Sequence, residues 1–167
     1  MNIILIGFMG AGKTTLAEIL NKKLKNFKHL EVDEIIRKKS SLKSINQIFK
    51  KKGEIGFRKL EIQAIKQISQ NKKNQIISCG GGVVLNQINM LRLKRSGTVF
   101  YLYAPFAVIK KRLQGDDSRP LFKDINKAKA LFGFRHPIYK FYSDQIINTH
   151  LGAAEKKAQK IIDKINL

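Results

Sequence analysis

The sequence predicts an α/β domain in three layers, with a parallel sheet of five short strands between helices. Three observations carry that prediction. Runs rich in β-forming residues recur at Ile3–Ile6, His29–Val32, Gln75–Cys79, Thr98–Tyr103 and Gln145–Ile147. Stretches with apolar residues at helical spacing separate them, the alternation of a layered parallel sheet. The turn between the first strand and the first helix is glycine-rich: Gly7-Phe8-Met9-Gly10-Ala11-Gly12-Lys13-Thr14-Thr15.

That turn fits G-x-x-x-x-G-K-[ST] and stands where the pattern requires, after a buried strand and at a helix N-terminus. Its glycines let the backbone bend closely around phosphate, with amide N–H groups pointing inward and the positive helix end assisting. Gly10, Ala11, Gly12 and Thr15 belong to this cradle. Lys13 is expected to reach the β- and γ-phosphates of a nucleotide, and the Thr14 hydroxyl to ligate Mg²⁺.

In chain order, the first helix is expected from Lys13 to near Lys25, with Leu16, Ile19, Leu20 and Leu24 on one apolar face. Asp33 follows the second strand. It is either a helix N-cap or a carboxylate at the mouth of the site, since ligands collect beyond the C-terminal ends of parallel strands. Ser44 opens a capped helix that Gly53 interrupts. Glu54–Gln70 continues as a helix with Ile55, Leu60, Ile62, Ile65 and Ile68 as its apolar positions. Arg58 and Glu61 share its accessible face, in the plainest reading as a surface ion pair.

After the third strand come Gly80-Gly81-Gly82, either a flexible turn or one that a substrate approaches closely. Cys79 reads as a small strand-end or core residue, with no defined Cys–His arrangement around it. Asn86 caps a helix to about Lys94, and Pro105 suits the first turn of the helix containing Val108, Ile109 and Leu113. Arg112, near that helix's end, either packs on an adenine ring or complements the helix C-terminus. Gln114–Leu121 reads as a mobile connection. Its Arg119 is either solvated or able to close over transferring phosphoryl oxygens. Asp124 caps a helix with Ala128, Leu131, Phe132 and Phe134 facing the core, which Pro137 kinks or restarts. Arg135 can bind a carboxylate in bidentate fashion, and His136 is structural. A basic helix over Gly152–Ile165 closes the chain.

The whole composition narrows the partners. The 167 residues, 43% of them hydrophobic, suit one domain with a continuous core. The first strand begins so near Met1 that no preceding domain is expected, and the start lacks the basic region, long apolar stretch and cleavage pattern of a signal peptide. No apolar run approaches the roughly 20 residues of a membrane helix. Cys79 is the only cysteine, which excludes an intrachain disulfide and a cysteine-rich zinc site and makes the cytoplasm the default compartment. The net charge of +21 raises nucleic acid or an anionic membrane as partners. The charge is mostly scattered lysine, however, without an arginine track or an aromatic stacking module. A solvated basic surface is therefore expected, with no specific nucleic acid and no membrane partner. His29, His136 and His150 lack zinc-motif spacing.

A phosphate loop establishes nucleotide binding better than it establishes a reaction. A nucleotide hydrolase would position water; a kinase positions an acceptor hydroxyl. No N-K-x-D guanine-recognition motif is evident. Asp33, Arg58, the triple glycine and Arg135 suggest a small anionic acceptor. Taken with Phe57-Arg58-Lys59-Leu60-Glu61, Arg119-Pro120-Leu121, Arg135-His136-Pro137-Ile138-Tyr139 and Asp144, in this order and spacing, the sequence resembles shikimate kinase over essentially the whole chain.

The resemblance implies a P-loop kinase fold of the nucleoside-monophosphate-kinase type, with strand order 2-3-1-4-5. It implies ATP and Mg²⁺ as cofactors, a monomer, and phosphorylation of the shikimate 3-hydroxyl on the way to chorismate and aromatic amino acids. It implies a substrate-binding segment at about 33–70 and a lid at about 114–124. Asp33, Arg58, Gly80, Gly81, Gly82 and Arg135 would hold shikimate, the two arginines on its carboxylate. Lys13, Asp33 and Arg119 would be catalytic, with Arg112 beside adenine and Thr14 on the metal. Three positions depart from the family pattern: Glu31 where Asp is usual, Arg37 where an acidic residue is common, and Cys79 where Thr is frequent. The alternatives are another small-metabolite kinase, such as one resembling gluconate kinase, and a nucleotide-regulated RNA-binding protein.

Overall fold

The structure, a computed structural model, describes residues 1–71, 74–115, 122 and 124–165. Among these residues the strands are β1 (Asn2–Ile6), β2 (Lys28–Glu31), β3 (Gln75–Ser78), β4 (Gly97–Tyr103) and β5 (Gln145–Asn148). The helices are α1 (Lys13–Lys23), α2 (Val32–Ser40), α3 (Ile45–Gln70), α4 (Gln87–Ser96), α5 (Phe106–Arg112), α6 (Ile125–Tyr142) and α7 (Ala154–Ile165). The strands form one all-parallel sheet in the order β2-β3-β1-β4-β5. This is the architecture and the order that the sequence and its resemblance imply.

The central strand explains the layering. β1 lies between β3 and β4, so both of its edges are paired; helices cover both of its faces, and Asn2 through Ile6 are all fully buried. The pleat sends Ile3 and Leu5 to one side, against Leu16 and Leu20 of α1 and Ile161 of α7. Ile4 and Ile6 go to the other side, against Ile36 of α2, Ile65 of α3, Met90 of α4 and Tyr139 of α6. The buried Asn2 is satisfied: its Oδ1 accepts from the Gln75 amide at 3.0 Å and its Nδ2 donates to the Asn71 carbonyl at 3.0 Å. Asp144 fastens the far edge. It accepts from the Val99 amide at 2.8 Å and pairs with Lys94 at 2.6 Å, joining α4 to the start of β5.

Local chemistry decides several boundaries. Ser44, Asn86 and Asp124 cap α3, α4 and α6, each accepting an amide three residues on. Asp33 is not a cap; it lies in the first turn of α2, because β2 ends at Glu31 and Val32 already begins the helix. Gly53 does interrupt α3: its φ of 65° and ψ of −176° are non-helical. That break resets the helical phase. The buried stripe runs through Phe57, Glu61, Ala64, Ile65 and Ile68, while Ile55 falls off it and is 75% exposed.

Pro105 immediately precedes α5 rather than lying in its first turn, and α7 begins at Ala154 rather than Gly152. Pro137 does not restart α6, which runs through it as one helix. The inward stripe of α6 is Ala128, Arg135 and Tyr139, with Phe132 packed on the core, so Phe134 points outward at 62% exposure.

Candidate active site

A cavity of about 650 Å³ opens at the C-terminal ends of the strands, along the phosphate loop. Gly10, Gly12, Lys13, Thr14 and Thr15 line it, with Asp33, Gly80 and Gly81 on one side and Arg112 on the other. The loop itself is backbone. Gly12 adopts a left-handed conformation (φ 93°, ψ 22°) at the N-cap of α1 and supplies no side-chain cap. The first-turn amides therefore meet the cavity without a competing cap, which suits an anion. Lys13 reaches back over the loop, donating to the Gly7 carbonyl at 2.8 Å and the Phe8 carbonyl at 3.0 Å. Ala11 turns away: its methyl is buried in the core beneath α1 and its amide donates to Phe8 at 3.2 Å.

The donors suit Mg²⁺ with nucleotide phosphates. Thr14, Ser78, Asp33 and Glu31 present hard oxygen ligands to the same cavity. Among the described residues no group of three His, Cys, Asp or Glu forms a cage, and Mg²⁺ held between a hydroxyl, phosphates and water needs none. Glu31 lies 3.3 Å from His29 Nε2, two residues back on the same strand face. Arg37, the second departure, pairs with Glu34 at 2.7 Å on the surface of α2. Cys79 is a buried core residue, as its sequence position suggests, and burial pushes its thiol pKa far up, so it stays protonated.

The triple glycine is where Asp33 and Arg58 approach the backbone most closely. A Cβ on Gly80 would stand 2.7 Å from Asp33 Oδ1, and one on Gly82 would stand 2.8 Å from Arg58 Cζ. The missing side chains thus make room for the Asp33 carboxylate and the Arg58 guanidinium. The Tyr139 hydroxyl donates to the Gly81 carbonyl between them. Arg58 pairs with Glu61 at 2.9 Å and Glu54 at 3.3 Å.

The first of these pairs is no surface ion pair. Glu61 is fully buried, on the core stripe of α3. Burial pushes its carboxyl above the usual carboxylate range; Arg58 and the more distant Arg135 pull the other way, and Asp33 adds to the rise. Arg135 is itself buried, 8% exposed, and desolvation lowers its pKa. His136, beside it in sequence, hydrogen-bonds Tyr101 at 2.7 Å and is structural; burial, then Lys140, lowers its pKa.

Arg112 lies in the last turn of α5 and lines the cavity. It donates to the Gly10 carbonyl at 3.1 Å and to the Thr149 carbonyl at 2.7 Å, bridging the phosphate loop to the end of β5. Arg119, and most of the segment at about 114–124, lies outside the described residues. Sequence reasoning missed Glu61 as a buried group, Tyr139 as a ligand of the triple glycine, and Thr149 and Lys157 as cavity lining. The stripe Phe57, Glu61, Ala64, Ile65 and Ile68 is the signal that could have found Glu61. Thr149 and Lys157 carry no local signal, because their contacts are to backbone carbonyls and, for Thr149, to an arginine 37 residues away.

Comparison with known proteins agrees with this geometry. The family model for shikimate kinase matches residues 9–166. The chain is 41% identical over 164 residues to the shikimate kinase of Caldicellulosiruptor bescii, covering 96% of this chain and 93% of the relative. It is 44% identical over 164 residues to that of Thermodesulfovibrio yellowstonii, covering 96% and 92%. Among solved structures, shikimate kinase from Acinetobacter baumannii in complex with shikimate superposes with a TM-score of 0.90 at 36% identity, over 99% of this chain and 92% of that one. Shikimate kinase from Aquifex aeolicus gives 0.85 at 35% identity, over 99% and 96%. A family match over nearly every residue, and relatives this similar over nearly their full length, mean that the chain belongs to the shikimate kinase family.

Proposed function

We propose that the residues gathered at the triple glycine form the acceptor half of the family's reaction. That reaction is ATP-dependent phosphorylation of the shikimate 3-hydroxyl, giving shikimate 3-phosphate and ADP for aromatic amino acid biosynthesis. The observation that carries this reading is the meeting of Asp33 with Gly80, and of Arg58 with Gly82, beside the phosphate-loop cavity.

Arg58 and Arg135 grip the acceptor's carboxylate, and Glu61 holds Arg58 in place from behind. Gly80, Gly81 and Gly82 let the ring approach the backbone. Asp33 accepts the hydrogen bond of the 3-hydroxyl and takes its proton as the new O–P bond forms and the bridging P–O bond to ADP breaks. Lys13, swinging from its loop carbonyls, and Arg119 stabilise charge on the moving phosphoryl group. Mg²⁺, when bound on Thr14, neutralises the β- and γ-phosphates.

The chain works as one domain, with residues of about 33–70 as its substrate-binding segment and about 114–124 as its lid. Among the described residues no helix is long and apolar enough to cross a membrane. A cytoplasmic monomer without a specific nucleic-acid or membrane partner completes the reading. The test is Mg²⁺-dependent ADP formation with and without shikimate, with mass detection of the product and gluconate as a control. Shikimate 3-phosphate formed together with ADP is expected. Turnover of gluconate instead, or none at all in a folded protein that binds ATP, would overturn it.

A further inference from the structure

The cavity has two ends. Asp33, Gly80 and Gly81 occupy one; Arg112, Thr149, His150, Gly152 and Lys157 occupy the other, across the phosphate loop. With phosphates on the loop and the acceptor at Asp33, the second end is left for the nucleoside. We propose that Lys157 is a positioning residue of the nucleotide site, which fixes the connection between β5 and α7 as the wall facing the base. The inference rests on the reading that the cavity binds ATP.

The wall has little packing of its own. Leu151 is 62% exposed, and a Cβ on Gly152 would meet nothing within 4 Å. Hydrogen bonds hold it instead. From the second turn of α7, Lys157 Nζ donates to the Thr149 carbonyl at 2.8 Å and the Gly152 carbonyl at 2.8 Å. The Thr149 carbonyl also accepts from Arg112 Nη2, whose Nη1 reaches the Gly10 carbonyl. Gly152, Lys157, Thr149, Arg112 and Gly10 thus form one chain of charge-assisted hydrogen bonds from the wall to the phosphate loop. Between the two carbonyls that Lys157 holds sits His150. Its ring packs edge-on to Tyr103 at 6.1 Å, and its buried Nδ1 has no hydrogen-bond partner among the described residues. Without Lys157, the stretch from Thr149 to Gly152 must be ordered each time a nucleotide binds, and that entropy is charged against nucleotide affinity alone.

The experiment titrates the full chain with ADP and with inorganic triphosphate, and measures kcat and both KM values, in wild type, Lys157→Met and Lys157→Arg. Lys157→Met is expected to weaken ADP about tenfold and raise the ATP KM to match. Triphosphate affinity, kcat and the shikimate KM should stay within about twofold of wild type, because among the described residues Lys157 makes no direct hydrogen bond to the loop or to the acceptor side and Arg112 still holds Gly10. Lys157→Arg should recover most of the loss. Unchanged ADP affinity in Lys157→Met overturns the inference. So does a loss shared equally by triphosphate or shikimate, which would mark a general structural role. If Lys157→Met does not fold, Lys157→Gln supplies the same comparison. Wild type that binds no ADP sinks the functional reading and this inference together; wild-type binding with an indifferent Lys157→Met sinks the inference alone.

Discussion

The two halves of the site are built from different materials. The phosphate half is one continuous stretch, Gly7 to Thr15, and most of what it offers is backbone at a helix N-terminus. The half proposed for the acceptor is made of side chains from α2, α3 and α6, brought to three glycines after β3. The first half keeps its charge near solvent, on Lys13. The second buries it: Glu61 is pushed above its usual pKa range and Arg135 below its own. Recognition of phosphate therefore needs only a local turn. Recognition of one small acid needs distant residues that bear a desolvation cost to stand still.

Substitutions can break or sharpen that contrast. The largest effect is expected from Lys13→Ala, which should lower kcat by about 100- to 1,000-fold, the cost of losing one charge-stabilising donor. Near-normal ADP production would remove Lys13 from the chemistry. Arg135→Ala should raise the shikimate KM about 10- to 100-fold, as the loss of a charged hydrogen-bonding partner predicts, and leave the ATP KM nearly alone. Equal damage to both substrates would erase the division between the halves.

Gly82→Ala tests the close approach. Its methyl must displace the Arg58 guanidinium, and the shikimate KM should rise about tenfold at unchanged ATP KM. A variant with wild-type kinetics would mean that the guanidinium's position is not critical.

The smallest effect is on stability. Because the folded pKa of Glu61 is raised, its protonation favours the folded state. Its contribution is fully present below the unfolded carboxylate value of about 4.3 and is lost as pH rises through the raised folded value. Tm of wild type minus Tm of Glu61→Gln should therefore grow as pH falls through that window. A difference that grows with rising pH would show instead that Arg58 dominates burial.

The same contrast explains what the sequence made legible. The five strands and the phosphate loop follow from short-range pattern, the strand order follows from the resemblance, and the structure agrees with both. Ser44, Asn86 and Asp124 were readable as caps because a cap reaches only three residues. The side toward which a residue points was less readable. Glu61 and Phe134 look like a surface acid and a core aromatic, and the phase of α3 and α6 reverses both. The bridge from Arg112 to Gly10 spans 102 residues and ends on a carbonyl, a group every residue has, so no residue type announces it.

The position of β1 has a consequence for how the protein is made. The strand is synthesised first, yet its two neighbours in the sheet are residues 75–78 and 97–103. At about 5–20 residues per second, Asn2–Ile6 waits on the order of 5–20 s on a ribosome before both flanks exist. Throughout that interval an apolar segment with two open edges must be kept from other chains. Nascent chains arrested before Tyr103 should remain protease-sensitive at β1, and chains released beyond it should not. The glycine-rich turn that depends on β1 for its footing can take shape no sooner. The most recognisable motif in the sequence is thus among the later pieces of the molecule to become structure.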